Sequence, residues 1–224
     1  MKTSNKILFG FVMLALAVQT TCIVIANNKS NEISKKAPEI LKEVAIDRPI
    51  STLSLAAHSR IELHKSSENH ITVTSRGIKP KGNYDITFSN DTCYIHSSQD
   101  DWRDNTVIKV NSNDIKNVVI REANFMTISG NYDSLFVDNL GCYFKLAYNN
   151  SHVNYLNIRG LNQSKNELAH IDHLDLHLEN ASINGNNIKN LTNINLQNNS
   201  ELTVKGLPDF SEIKKDETSK ITFN

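Results

Sequence analysis

The sequence predicts an all-β fold built as a solenoid, a stack of short strands in which each turn lies on the next. The first observation is a drifting repeat: Ile115-x-x-Val118-x-Ile120, Tyr132-x-x-Leu135-x-Val137, Val153-x-x-Leu156-x-Ile158 and Ile171-x-x-Leu174-x-Leu176, with a further match at Ile194 to Leu196. Val118, Leu135, Leu156 and Leu174 follow one another at 17, 21 and 18 residues. A period of about 20 residues is one solenoid turn, whose apolar side is buried only by its neighbours. The second is alternation within each unit, as in Leu156-Asn157-Ile158-Arg159 and Leu174-Asp175-Leu176-His177-Leu178. A two-residue period marks a half-buried strand and cannot form a helical stripe. The third is the punctuation: Ser129-Gly130-Asn131 and Asn184-Gly185-Asn186-Asn187 stand between strands, with residues suited to turns and left-handed backbone.

Taken along the chain, residues 1–26 read as a signal peptide or an amino-terminal membrane anchor. Lys2 and Lys6 precede the apolar run Ile7 to Val18, the charge and length of a secretory segment. Small residues suited to cleavage stand at Ala15 and Ala17, with Val24 and Ala26 as later alternatives. Left uncleaved, residues 7–26 have the roughly 20-residue length of a span. Lipid attachment at Cys22 is a third fate, against which Thr21 stands where a small residue is usual. Residues 27–43 are polar and charged with little apolar pattern, a tether for which no ordered fold is expected before Val44.

Residues 44–224 form one domain, its repeat core spanning about 115–206. Before the repeat, Ile50 to Leu55, Ser59 to His64 and Ile71 to Ser75 alternate as strands. Tyr84 to Phe88 and Thr92 to His96 flank Ser89-Asn90-Asp91 as a hairpin, and Thr106 to Val110 is a further strand. These are expected to cap or begin the stack, with irregular or antiparallel strands at its ends. In the repeat, second strands fall at Met126 to Ile128, Cys142 to Leu146, Ala181 to Ile183 and Leu202 to Val204. Gly206 to Lys220 supplies a far cap, and Lys220 to Phe223 a last strand.

Asp47 to Leu55, Ser59 to His64 and Glu68 to Thr74, with the later repeats of short strands and turns, resemble the DUF2807 group of bacterial exported proteins, described as "putative auto-transporter adhesin, head GIN domain". The resemblance covers roughly residues 44–206 through loose patterns, in a chain richer in Asn and poorer in Gly. It implies a right-handed parallel β-solenoid in the bacterial periplasm or envelope. It implies adhesion without assigning a binding residue.

Composition narrows function. With 24 basic and 24 acidic side chains scattered among one another, the chain lacks the basic stripe of a nucleic-acid protein. Cys93 and Cys142 share a parity with Ile95 and Phe144, the pattern of buried thiols, although export leaves a bridge between them open. The 30 asparagines fit many turns but equally a compositional bias. Asn-x-Ser/Thr sequons, such as those at Asn90, Asn149 and Asn162, carry little weight in such a chain.

No catalytic, cofactor-binding or metal-binding residue is assigned. His173 and His177 flank Asp175, but at about 3.3 Å per residue the histidines stand about 13 Å apart, too far for one metal. Asp100-Asp101-Trp102-Arg103-Asp104 lacks a second acidic wall across a groove, as glycoside cleavage requires. Alignment on the inward residues stacks Val119, Phe136, Asn157, Asp175 and Asn195 in one outward column, and Arg121, Asp138, Arg159, His177 and Gln197 in the next. Arg121 or Arg159 then pairs with Asp138. Val119, Phe125, Phe136, Tyr143 and Tyr155 form an apolar and aromatic band, while Asn157, Asp175 and Asn195 offer amide and carboxylate partners to a glycan. The expectation is an exported solenoid that binds a surface glycan or envelope protein as an adhesin or scaffold, touching membrane only through an uncleaved amino terminus. The rival is a polysaccharide lyase or glycoside hydrolase on a β-helix, with Asp100, Asp101 or Asp104, or the Asp138 and Asp175 columns, converging on Arg121 or Arg159.

Overall fold

The computed structural model describes residues 13–28, 37–75, 83–97 and 106–224. Residues 13–28 are helical, and among the described residues no helix is long and apolar enough to cross a membrane. Among the described residues fifteen strands follow: β1 (Glu39–Ala45), β2 (Thr52–Ala56), β3 (Arg60–His64), β4 (His70–Ser75), β5 (Tyr84–Ser89), β6 (Thr92–Ser97), β7 (Thr106–Asn111), β8 (Asn117–Ile120), β9 (Phe125–Leu140), β10 (Tyr143–Leu161), β11 (Lys165–Glu179), β12 (Ser182–Gln197), β13 (Glu201–Lys205), β14 (Asp209–Lys215) and β15 (Lys220–Phe223).

The pairings define two walls of a mostly parallel solenoid. The first runs β5, β6, β2, β8, then the second halves of β9, β10, β11 and β12, and ends at β14. The other runs β1, β4, β7, β3, then the first halves of β9 to β12, and ends at β13 and β15. Among the described residues antiparallel pairing is confined to β1–β4, β4–β7 and β5–β6, at the amino-terminal end. The expected hairpin is β5–β6, turning at Asn90 with φ of 54°.

Alternation places one set of side chains inside. Leu53, Val118, Leu135, Leu156, Leu174 and Leu191 on the first wall join Ile61, Met126, Phe144, Ile183 and Leu202 on the second in one core, each at most 1% exposed. Each such side chain stabilises the fold by about 1.5–3 kcal/mol relative to leaving it in water.

Two features escaped the sequence pattern. The order of turns along the stack is not the order of the chain, because the β2–β3 turn lies between the β6–β7 turn and the turn begun by β8. Residues between β7 and β8 step across it, held by Ser112 N–H to His64 O at 3.1 Å and Lys116 N–H to Ser51 O at 2.8 Å. The other is β1, which begins at Glu39, inside the stretch read as a tether. A register shift between Ile40 and Lys42 breaks its alternation and lets Leu41 and Val44 both pack on the core. The expected far cap is a further parallel turn, β14 on β12 and β15 on β13.

The corners explain the asparagines. Asn162, Gln163, Asn180, Asn198 and Asn199, between successive strands of the repeat, and His170 and Asn187, where β11 and β12 bend, have φ between 50° and 66°. Asparagine visits that region at lower cost than most side chains. Asn139, fully buried, accepts from Cys142 N–H at 3.1 Å and donates to Asn166 Oδ1 at 2.8 Å and Cys142 O at 3.0 Å, satisfying the Cys142 N–H that the corner would otherwise orphan.

Candidate binding face

The outward residues of the first wall fall into three columns set by strand register. Ser134, Tyr155, His173 and Asn190 form one; Asn117, Phe136, Asn157 and Asp175 the next; Val119, Asp138, Arg159, His177, Asn195 and Lys214 the third. This corrects the expected alignment. Val118 faces Val137 rather than Leu135, so Val119 and Asn195 leave the Phe136 column for that of Asp138. For Asn195 the irregularity is local: between Leu174 and Leu176, β12 carries an extra residue, so Leu191 and Ile194 face them, three residues apart. Arg121 lies beyond β8, and among the described residues neither it nor Arg159 forms an ion pair with Asp138, one of whose carboxylate oxygens is buried without a hydrogen-bond partner.

The band of five apolar and aromatic residues is two separate pairs. Phe136 and Tyr155 lie on the first wall with ring centroids 6.1 Å apart at 60°, and Phe136 is 42% exposed. Phe125 and Tyr143 stack on the second wall at 5.1 Å and 22°, with the Arg60 guanidinium 5.4 Å above the Phe125 ring. The Tyr143 hydroxyl donates to Glu167, which also holds Lys145 Nζ at 3.0 Å. These donors, Tyr143 foremost, hold the Glu167 carboxyl below its ordinary range. The second pair is thus enclosed by the protein's own charges, whereas Phe136 of the first is exposed to solvent.

Beside the first pair the wall dips into a shallow depression of about 280 Å³, floored by Leu176 and Ile194 and lined by Asn157, Asp175, His177, Asn193, Asn195, Glu212 and Lys214. Asp175 binds three turns together. Its Oδ2 accepts from the Tyr155 hydroxyl at 2.5 Å, and its oxygens accept the Asn193 N–H and side-chain amide at 3.2 Å. Burial pushes the Asp175 carboxyl up, but the hydrogen bonds from Tyr155 and Asn193 outweigh it and hold the group below the usual carboxylate range. Asn195 donates to His177 Nδ1 at 3.0 Å, and Lys214 Nζ lies 2.6 Å from Glu212 Oε1.

Of the predicted residues, Asn157, Asp175 and Asn195 therefore line one depression next to Phe136 and Tyr155, while Val119 stands apart and Phe125 and Tyr143 face elsewhere. Asn193, Glu212 and Lys214 were missed. The three-residue spacing of Leu191 and Ile194 was the one sequence signal of the bulge that brings Asn193 to Asp175.

Asp175 is a poor proton donor, being held ionised with its oxygens occupied. Asp100 to Asp104, including Trp102, lie outside the described residues. Among the described residues no three His, Cys, Asp or Glu side chains come together as metal ligands. Cys93 and Cys142 are free and buried; burial pushes the Cys93 thiol up to about 12 and raises that of Cys142 against a hydrogen bond from Ala123 N–H.

No family model matches the chain, and no curated protein sequence matches it. Among solved structures it is similar to a "putative adhesin" of Bacteroides fragilis, with a TM-score of 0.60 at 9% identity, covering 85% of this chain and 98% of that one. Looser overlaps, on which nothing rests, occur with a "putative lipid binding protein" of Parabacteroides distasonis (TM-score 0.47, 13% identity, 85% and 98% covered) and a "putative adhesin" of Parabacteroides merdae (0.43, 13%, 85% and 97%). At this identity the first likeness shows a shared fold and nothing finer.

Proposed function

We propose that this protein is an exported envelope or surface protein of adhesin type whose first wall binds a surface glycan non-covalently. The observation that carries the reading is the juxtaposition of the Phe136–Tyr155 pair with the amide-lined depression of Asn157, Asn193 and Asn195. A sugar ring presents an apolar face suited to an aromatic platform and hydroxyls suited to amides. The apolar leader supports export, with residues 1–26 as signal or anchor, and the resemblance to the head GIN domain group supports an envelope location. Against the lyase or hydrolase reading stands Asp175, whose oxygens are taken up by Tyr155 and Asn193.

The test is binding of the full chain to an array of surface glycans, peptidoglycan fragments and envelope proteins. The double substitution Phe136→Ala, Tyr155→Ala is expected to weaken glycan binding at least about tenfold, as loss of aromatic anchors does at other interfaces, with the thermal melt retained. Unchanged affinity in that variant, or binding to envelope proteins alone, overturns the reading.

A further inference from the structure

We propose that the depression selects uncharged sugars and discriminates against acidic ones, a deepening that rests on the glycan reading above. Two carboxylates, Asp175 and Glu212, line it against one ammonium, Lys214. That ammonium is already engaged by Glu212 at 2.6 Å. Asp175 stays ionised and spends its oxygens on Tyr155 and Asn193, bracing the aromatic ring and the amide.

The groups left to meet a ligand carry no ionisable charge: the rings of Phe136 and Tyr155 and the amides of Asn157 and Asn195. A uronate or sulfate placed there gains the ammonium of the lining only by drawing Lys214 off Glu212, which leaves the Glu212 carboxylate unpaired beside a second anion. Close like charges of this kind are disfavoured, and the penalty falls as salt screens it. Beyond the rim, Arg159 and Asp138 share a column and offset one another in sign, adding no net attraction for an anion.

The experiment uses matched oligosaccharides differing only in a hydroxymethyl or a carboxylate at the same carbon, titrated against the full chain and its Glu212→Gln variant at low and high salt. The native chain is expected to bind the neutral member about three- to tenfold more tightly, with the gap closing at high salt. Glu212→Gln frees Lys214, so the ratio of uronate to neutral binding should rise, and a retained cooperative thermal melt reports that the variant is folded. Equal or tighter binding of the uronate by the native chain, or no gain in Glu212→Gln, overturns the charge selection and leaves the glycan reading standing. Failure of both members to bind, across the neutral and acidic glycans of the array, overturns the glycan reading and this inference with it.

Discussion

Asn180 connects β11 to β12 with φ of 50°, its N–H donating to Gln197 O at 3.1 Å and its carbonyl accepting from Gln163 N–H at 2.6 Å. The backbone there is fixed by neighbouring turns, so the residue must accept the left-handed region. Asn180→Ala is expected to destabilise by about 1 kcal/mol and Asn180→Gly by close to zero, because only the former keeps the Cβ that the left-handed region penalises while losing the local amide. Urea melts of the two variants decide it; equal losses would place the cost in the side chain rather than the φ angle. The asparagine content was legible in the sequence but not its meaning, since composition does not say which residues turn left. Asp216 governs the last corner in a different way. Its oxygens accept from Asn198 N–H at 2.7 Å, Ser219 N–H at 2.8 Å and Thr218 Oγ1 at 2.9 Å, and the bonds from Ser219 and Asn198 draw its pKa down to about 2. A depressed carboxyl contributes stability that is present above its unfolded value of about 3.9 and is lost as pH falls through the folded value. The stability gap between the native chain and Asp216→Asn is thus expected to be full at neutral pH and to close between about pH 4 and the folded pKa of about 2. A gap constant across that window would remove Asp216 from the acid response.

At the scale of elements, the drifting repeat has a mechanical origin in β10. Between Lys145 and Val153 it runs eight residues while β11 runs four, from Glu167 to Ile171. That surplus makes the step from Leu135 to Leu156 longer than the step from Leu156 to Leu174. Inward residues were legible despite it because each half-strand keeps its own two-residue alternation. Outward columns were not, since an offset of two residues keeps a side chain on the same face but moves it one column along, as happened to Val119 and Asn195. Where β10 meets β11 the spacing has no slack. A Cβ on Gly160 would lie 2.7 Å from Leu178 Cδ2 and 2.8 Å from Ser164 Oγ, both on buried side chains. Gly160→Ala is expected to cost about 1–3 kcal/mol through overpacking, read as a lower urea midpoint with unchanged slope. A neutral result would show that Leu178 can find another rotamer inside the core.

At the scale of the molecule, a solenoid's stability is close to a sum of nearest-neighbour interfaces, and the order of turns decides what a deletion removes. The β14–β15 turn touches the stack on one side only, through β12 and β13, and exposes Leu207 at 90% and Phe210 at 64%. The β2–β3 turn touches it on both sides: Leu53 and Leu55 pair with Cys93 and Ile95 of β6 and with Val118 and Ile120 of β8, all buried. By sequence position both segments lie near the ends of the domain, and the repeat pattern alone ranks them alike. The structure separates them. Removing residues 207–224 is expected to leave a cooperatively melting protein with a lower midpoint, because one interface is lost and Leu196 and Val204 become the new edge. Removing residues 51–65 should abolish the cooperative melt, because it parts β6 from β8 and β7 from β9 and leaves the crossing between β7 and β8 without its anchors at Ser51 and His64. Comparable melts from the two truncations would mean that the amino-terminal turn is added to a stack already complete without it, and that the crossing is a late decoration rather than part of the core.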